Sequence, residues 1–487
     1  MDGLPASGRG ILTVVPPHPQ AAPEQKPPQI SKRVSSYEIA SLVWPQALTM
    51  LFQFMIGLTD VAVAGRIHPH LQGIIGIITQ FQFFLLVIGL ALVNGSVAAI
   101  SQSLGARLKL RADRYVGLLF KVGTLFCAIT MLIGFFFAAP FLTLLQVPEE
   151  LYAETLELWL RFLPVLPASY LTFMTAAVFR ANKIVGMPLA SAVVVCTINL
   201  VFDIGLGLGK FGMPNLGAHG LIYASIISVG AGGLFNLTVL LRKNLLSRRS
   251  FAPWRWERRA FPYVFKVALP SGGSQILWQL GYMMLYMITN TLPRDSVIAV
   301  NGLVAGFRIE GLLFMPVMAF SFTASVLVGH CLGAGDRAEA MRVGLRVIGA
   351  GALCMGLLAA CIYPWLPEIT SFVSPLEPSV QAVAVSYMVF NLLAAPFTAT
   401  SMIMSGIFSG AGATLYSLLI FTAGTWAVRL PLAWYMGHIV WQDASGVFVA
   451  MLVSQVVQAS LCLYIFFYRD WYRFASTVKR CERKKAM

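Results

Sequence analysis

The sequence predicts an all-α polytopic membrane protein with twelve transmembrane helices arranged as two related six-helix bundles. Three observations lead there. Of 487 residues, 57% are hydrophobic and 11% charged, and the mean hydropathy is +0.75; soluble domains hold about 45–50% apolar and about 25% charged residues. Apolar runs of the roughly 20 residues that cross a bilayer as a helix recur twelve times. They lie near residues 37–65, 73–100, 115–140, 155–179, 184–209, 217–241, 263–291, 297–328, 341–366, 380–406, 412–437 and 446–468. A soluble core yields one or two such runs, not twelve in series. The chain is also written twice. SQSLGARLKLRA (101–112) returns in altered form as GHCLGAGDRAEA (329–340), VFRANKIVGMPL (178–189) as IFSGAGATLYSL (407–418), and SLVWP ending at Pro45 as KVALP ending at Pro270. A twofold repeat of membrane segments is how many transporters are built.

The repeat divides the chain. Residues 1–35 carry Pro5, Pro16, Pro17, Pro19, Pro23, Pro27 and Pro28, and their one apolar run, 11–15, is too short for a signal peptide; a disordered tail is expected. The first six segments occupy 36–241, a basic linker 242–262, the second six 263–468, and a basic tail 469–487.

The net charge of +15 does not point to nucleic acid, because the cations follow the topology. Arg107, Lys109, Arg111 and Arg114 come after the second segment, Arg180 and Lys183 after the fourth, and Arg242 to Arg259 after the sixth. Arg337, Arg342 and Arg346 come after the eighth, and Lys479 to Lys485 after the twelfth. The alternate loops hold Glu149, Glu150, Glu154, Glu368, Glu377 and Asp443 with few cations. By the positive-inside rule both termini are cytoplasmic and the protein is a multi-pass component of the cell (inner) membrane. Trp254 and Trp256 among the arginines of the linker suit either a helix lying on anionic lipid or an ordinary inside loop.

Enzymatic signatures are missing. There is no P-loop, HExxH or GxSxG; the one GxGxxG, GLGKFG (207–212), ends a membrane segment with no strand before it. The seven cysteines are scattered, so neither a disulfide framework nor a structural metal site is indicated. No cofactor is expected. Clustered acids of the DDxxD kind, which a membrane-embedded enzyme would need, are absent, and no filter-like interruption suggests a channel.

Function is therefore to be sought in the charges inside the membrane. Asp60 is the only charged group between residues 40 and 65, and Asp203 the only one between 184 and 209. An Asp at a helix centre costs about 2.5–3.5 kcal/mol on insertion scales, so it usually faces an interior. Asn199 lies one turn before Asp203 on the same face. Such a group can bind and release a proton near neutral pH or hold a small cation; otherwise each Asp is structural, paired on a neighbouring helix. Pro45, within the first segment, makes a bend there cheap or fixes a static kink. In the second half, Arg308 and Glu310 stand two apart and face different directions, and Arg429 precedes Pro431 near a segment end, where it can reach out to the interface. All three are expected to be structural.

At this level of detail the chain resembles the multidrug and toxic compound extrusion (MATE) transporters over residues 35–470. The likeness rests on the repeat copies, the segment from Pro45 to Asp60, NLVFD (199–203), LGAHGLIYAS (216–225), the run 299–336 and VRLPLA (428–433). The resemblance implies two six-helix lobes in a V, related by a pseudo-twofold along the membrane normal. It implies antiport, with inward H+ or Na+ flow driving out organic cations or other amphiphiles through a monomer. It places an N-lobe acid site on Asp60, Asn199, Asp203 and Ser225, where Na+ would be held by the first three, and a bend-forming proline on Pro45. Many members carry a Glu where Trp278 stands here, beside Gln279, which matches the prokaryotic branch that couples through the N-lobe alone. Flippases of lipid-linked sugars share the repeated helices and tend to a basic central cavity, which Arg308 and Arg429 would suit and the lone acids would not. The 12% aromatic content and 20 methionines suit an adaptable amphiphile cavity.

The charge pattern makes one direct prediction. Accessibility tags at the N-terminus, near Arg248 and at the C-terminus all report the cytoplasm, and one near Glu149 reports the outside; a tag at Arg248 found outside overturns the architecture.

Overall fold

In hydrocarbon a peptide group has no partner but another peptide group, so each apolar run closes into a helix. The computed structural model describes residues 33–144, 147–373 and 377–475. The expected disordered tail therefore lies almost wholly outside the described residues, as does the basic C-terminal tail from residue 476 onward. The first half runs α1 (Ser36–Ile67), α2 (Pro69–Gly105), α3 (Lys109–Phe136), α4 (Ala138–Leu144), α5 (Glu149–Phe162), α6 (Val165–Ala181), α7 (Gly186–Phe202) and α8 (Ala218–Arg242). The second runs α9 (Trp254–Asn290), α10 (Ser296–Ala334), α11 (Arg337–Ile362), α12 (Leu366–Val373), α13 (Pro378–Ala411), α14 (Thr414–Thr422), α15 (Leu430–Tyr435) and α16 (Ala444–Tyr468). Wider π-helical turns extend α7 over Asp203–Gly207, join α14 to α15 over Ala423–Arg429, and follow α15 over Met436–Val440.

Among the described residues ten spans are long and apolar enough to cross a membrane, and α5 with α6, bent by 46°, makes an eleventh. The bend falls at residues 163–164, where Pro164 supplies no backbone donor. The twelfth is α9, which is long enough but more polar. It opens with Arg255, Arg258 and Arg259, and it presents Ser271, Ser274 and Gln275 to an internal cavity. Its low hydropathy thus follows from its basic first turns and the polar face it turns to the cavity.

This helix also begins earlier than the apolar pattern suggests, at Trp254 rather than near residue 263. Its first turn is propped on α3: the Trp256 ring lies 5.1 Å from that of Tyr115, the Arg114 guanidinium sits over Trp256, and Lys121 pairs with Glu257 at 2.6 Å. Trp256 is therefore part of the packed fold, while Trp254 stays exposed.

Each half packs on itself, and the halves meet at one end, the end where α1 begins and α16 finishes. There α2 and α10 cross backbone to backbone. A Cβ on Gly105 would run into the carbonyl of His330, and one on Gly333 into the carbonyl of Gln102. Only glycine permits that approach. Polar groups stitch the same level: Gln102 Nε2 donates to the Gly410 carbonyl (2.8 Å), Tyr263 to Gln102 Oε1 (3.0 Å), and His330 Nε2 to the Ala181 carbonyl (2.9 Å).

The leading helices cross between the halves. Val34, Ile39, Leu42 and Val43 at the start of α1 belong to the second half's core, while Ala260 and Val264 of α9 belong to a core of α2, α3, α6 and α8 residues. Gln46 Nε2 reaches Thr323 at 2.8 Å, and the Val34 peptide is gripped by Glu339 and Arg346 of α11. The third apolar core lies at the far end of the first half alone. The two lobes are thus joined at one end and diverge toward the other, as a V.

Replacing Gly333 with Val pushes α2 and α10 apart at this crossing. Overpacking of this kind typically costs about 1–3 kcal/mol. We expect a lower melting temperature and, in a variant keeping Cys331 as its only cysteine, faster maleimide labelling of that buried thiol; unchanged labelling would show that the crossing does not hold the end shut.

Candidate functional site

Asn199 and Asp203 share one face as their helical spacing requires, and Asp60 meets them from α1. Asp203 opens the π-helical turn after α7, and its peptide N–H still bonds back to Asn199 and Leu200, so Asn199 and Asp203 face one way. α1 packs against this turn, with Val63 and Ile67 beside Gly207. Asp60 is thereby set opposite, and Asn199 Nδ2 donates to its Oδ1 at 3.3 Å. The Asp60 and Asp203 side chains lie within hydrogen-bonding range of each other. Asn199 and Asp203 are fully buried, while Asp60 is half-buried at the edge.

What distinguishes the cluster is a surplus of acceptors. Both oxygens of Asp203 and the amide oxygen of Asn199 are buried without a protein donor. Orphaned buried acceptors are costly, about 1–3 kcal/mol each and more for charged groups. A positive charge is what would satisfy them. Among the described residues no three or more His, Cys, Asp or Glu converge in a metal-like group, so the donor set is two carboxylates and one amide. Ser225 lies half-buried on α8, which packs on the same turn, but its hydroxyl makes no hydrogen bond to either carboxylate. Pro45 sits inside α1, which runs as one helix through it. The missing N–H leaves the Ser41 carbonyl without its usual partner, and Thr49 bonds back to the Pro45 carbonyl at 2.7 Å.

A cavity of about 380 Å³ lies between the lobes and is separate from this cluster. α2 contributes Phe83, Leu90 and Asn94, and the rest comes from α9, α10, α13 and α14, with Trp278, Phe314, Phe322 and Met402 beside several serines. No charged side chain lines it.

The second half holds a polar cluster that the sequence reading did not bring together. Glu310 is 5% exposed and accepts a short hydrogen bond from Tyr387, which in turn accepts from Asn391 Nδ2 at 3.3 Å. Arg308 points away and is exposed, so no pair forms with Glu310. Arg429 corrects an expectation: it does not reach to the interface but is 2% exposed, with Nε on Ser454 Oγ at 2.8 Å and its guanidinium over the Tyr282 ring. The reason is that the span continues to Val440. The π-helical turn ending at Arg429 absorbs Pro431, so the arginine lies in mid-span facing inward. The signal for the cluster was present as spacing: Trp278, Tyr282 and Tyr286 recur every fourth residue on α9, and Phe307, Glu310 and Phe314 share one face of α10.

Comparison with known proteins fits this architecture. The sequence profile of the MatE family matches residues 45–204 and 270–435, one match in each half. The chain belongs to the MatE family. Both matches open on the repeated prolines, Pro45 and Pro270. The "Probable multidrug resistance protein NorM" of Thermotoga maritima is 23% identical over 484 residues, covering 96% of this chain and 98% of the relative. "Multidrug resistance protein PmpM" of Pseudomonas aeruginosa is 26% identical over 465 residues, covering 93% and 95%. The crystal structure of the Vibrio cholerae MATE transporter VcmN in the bent form superposes with a TM-score of 0.81 at 20% identity, covering 91% of this chain and 98% of that one. The protein is accordingly a MATE-fold transporter of twelve helices in two lobes, and not an enzyme.

The two arginines give a contrast that can be measured. Arg429→Gln removes a buried donor from Ser454 and lowers stability by about 1–3 kcal/mol, whereas Arg308→Gln stays within about 0.5 kcal/mol; equal melting curves for the two variants in detergent would contradict the buried role of Arg429.

Proposed function

We propose that this transporter is a secondary active multidrug efflux antiporter. It exports amphiphilic or cationic small molecules in exchange for H+ or Na+, as a monomer in the cell (inner) membrane with both termini in the cytoplasm. The observation that carries the reading is the acceptor-rich cluster of Asp60, Asn199 and Asp203. A proton shared between the two carboxylates, or a sodium ion held by them and the Asn199 amide oxygen, supplies the charge that no protein donor supplies there. Family membership and the multidrug resistance names of the relatives support the class of transport.

Coupling works through α1. Asp60 rides on it fifteen residues after Pro45, so loading or emptying the acid cluster changes how α1 packs on the turn of Asp203. The proline-weakened point lets that change bend the helix. Bending acts where α1 enters the second lobe's core through Ile39, Leu42 and Val43 and where Gln46 meets Thr323. Ion occupancy in one lobe thus bears on the joint between both. The flippase reading gains no support: Arg308 and Arg429 do not line the central cavity, and nothing else there is charged.

The test is efflux of a fluorescent organic cation from proteoliposomes, with pH and Na+ gradients imposed separately. Asp60→Asn and Asp203→Asn each abolish gradient-driven efflux while the protein still folds. Asn199→Ala slows it less, and Ser225→Ala least, since its hydroxyl makes no bond to the acids. Pro45→Ala slows transport without removing ion dependence. Near-normal transport by either Asp variant removes that residue from the coupling machinery.

A further inference from the structure

The central cavity has no charged side chain, yet it shares two walls with a hollow that does. Trp278 and Phe314 line both the cavity and a side pocket of about 240 Å³ in the second lobe. The side pocket is otherwise bounded by Gln279, Tyr282, Tyr286, Phe307, Glu310 and Gly311. Its rings form one continuous edge-packed set: Trp278 to Tyr282 at 4.6 Å, Tyr282 to Phe307 at 5.0 Å, and Tyr286 to Phe307 at 5.3 Å between centroids. The single carboxylate is held in place from behind by Tyr387, whose ring continues the set.

We propose that this side pocket is a binding site for the alkylammonium group of a transported compound, the rest of which lies in the neutral central cavity. The inference rests on the efflux reading above but concerns a site that reading does not use. An alkylammonium ion spreads its charge over an apolar surface. Aromatic faces with one carboxylate suit it, at about 0.5–1 kcal/mol per exposed cation–π contact and about 2 kcal/mol when desolvated. The charged groups around Glu310 agree with this assignment. Arg429 lies over the Tyr282 ring and lines neither hollow, so it balances the buried carboxylate without blocking the pocket; Arg308 is exposed and lines neither hollow, its charge reaching the Tyr286 hydroxyl at the pocket's rim. Among the described residues, the other ionisable groups around Glu310 are the phenols of Tyr282 and Tyr286, whose rings line the pocket, and of Tyr387, which donates to the carboxylate from behind.

The test is calorimetric titration of the full-length protein in nanodiscs with tetraethylammonium. Glu310→Gln is expected to weaken binding at least tenfold. Gly311→Leu plugs the pocket without touching the carboxylate: Gly311 lines it, and a Cβ there meets only Phe54 at an ordinary 3.7 Å. It too is expected to weaken binding at least tenfold, and it decides the matter if Glu310→Gln does not fold. Trp254→Ala, an exposed position away from both hollows, binds as the parent does and serves as the control. If the folded variants at 310 and 311 bind like the parent, or if the parent binds no tetraethylammonium, the proposal is wrong. Asp60→Asn is scored by efflux alone: should it retain normal gradient-driven efflux, the coupling scheme fails while the binding result stands.

Discussion

The crossing of α2 and α10 at Gly105 and Gly333 is the constraint on which the architecture turns. In a bilayer, lipid tails are as apolar as leucine, so no hydrophobic force drives helices together. Close backbone packing and interhelical hydrogen bonds must do it. The two glycines admit the partner's carbonyl, and Gln102, Tyr263 and His330 bond across at the same level. Because this joint lies at one end, the lobes diverge toward the other and a cavity opens between them. Hydrogen bonds of this kind average about 0.6 kcal/mol in membrane proteins. A joint made of several such bonds is firm enough to select one arrangement and weak enough to be exchanged for another.

The interior charges are distributed unequally over a backbone that repeats. The fifth and eleventh spans both carry π-helical turns, and each turn buries a charged residue, Asp203 in one lobe and Arg429 in the other. The surroundings differ in kind. Asp203 faces another carboxylate and an amide, with acceptors in excess; Arg429 has Ser454, the face of Tyr282 and, one ring further, Glu310. An acceptor-rich site calls for a mobile cation, whereas a mixed site is balanced from within. Duplication of the scaffold has therefore not duplicated the chemistry, and each lobe can specialise while sharing one hinge region at the α1 and α9 crossovers.

Much of this was legible in the sequence. Apolar run length fixes the spans, because bilayer thickness sets a length that no soluble helix must meet, and the repeated prolines and Gly-Ala turns mark the two halves. Asn199 and Asp203 could be paired because they share one helix, where a spacing of four dictates a common face. The start of α9 was not legible: its first turns are too polar for a span and are held by Trp256 on Tyr115 and Glu257 on Lys121, contacts with a helix far away in the chain. Arg429 was misplaced for a related reason. Proline signals a helix end, and only the neighbouring helices could reveal that a π-helical turn carries the span through it.

Membrane class, the twelve spans, their duplication and the family are all written in periodicity and composition, which local physics reads directly. Packing between helices sets the rest: Asp60 meets Asn199 and Asp203 across two helices, the Ser225 hydroxyl makes no hydrogen bond to either carboxylate, and Glu310 looks into an aromatic pocket adjoining a neutral cavity. Those facts depend on the rotation of one helix about its axis relative to another. That rotation is set by small-residue packing at crossings such as Gly105 and Gly333, and a one-dimensional pattern does not contain it.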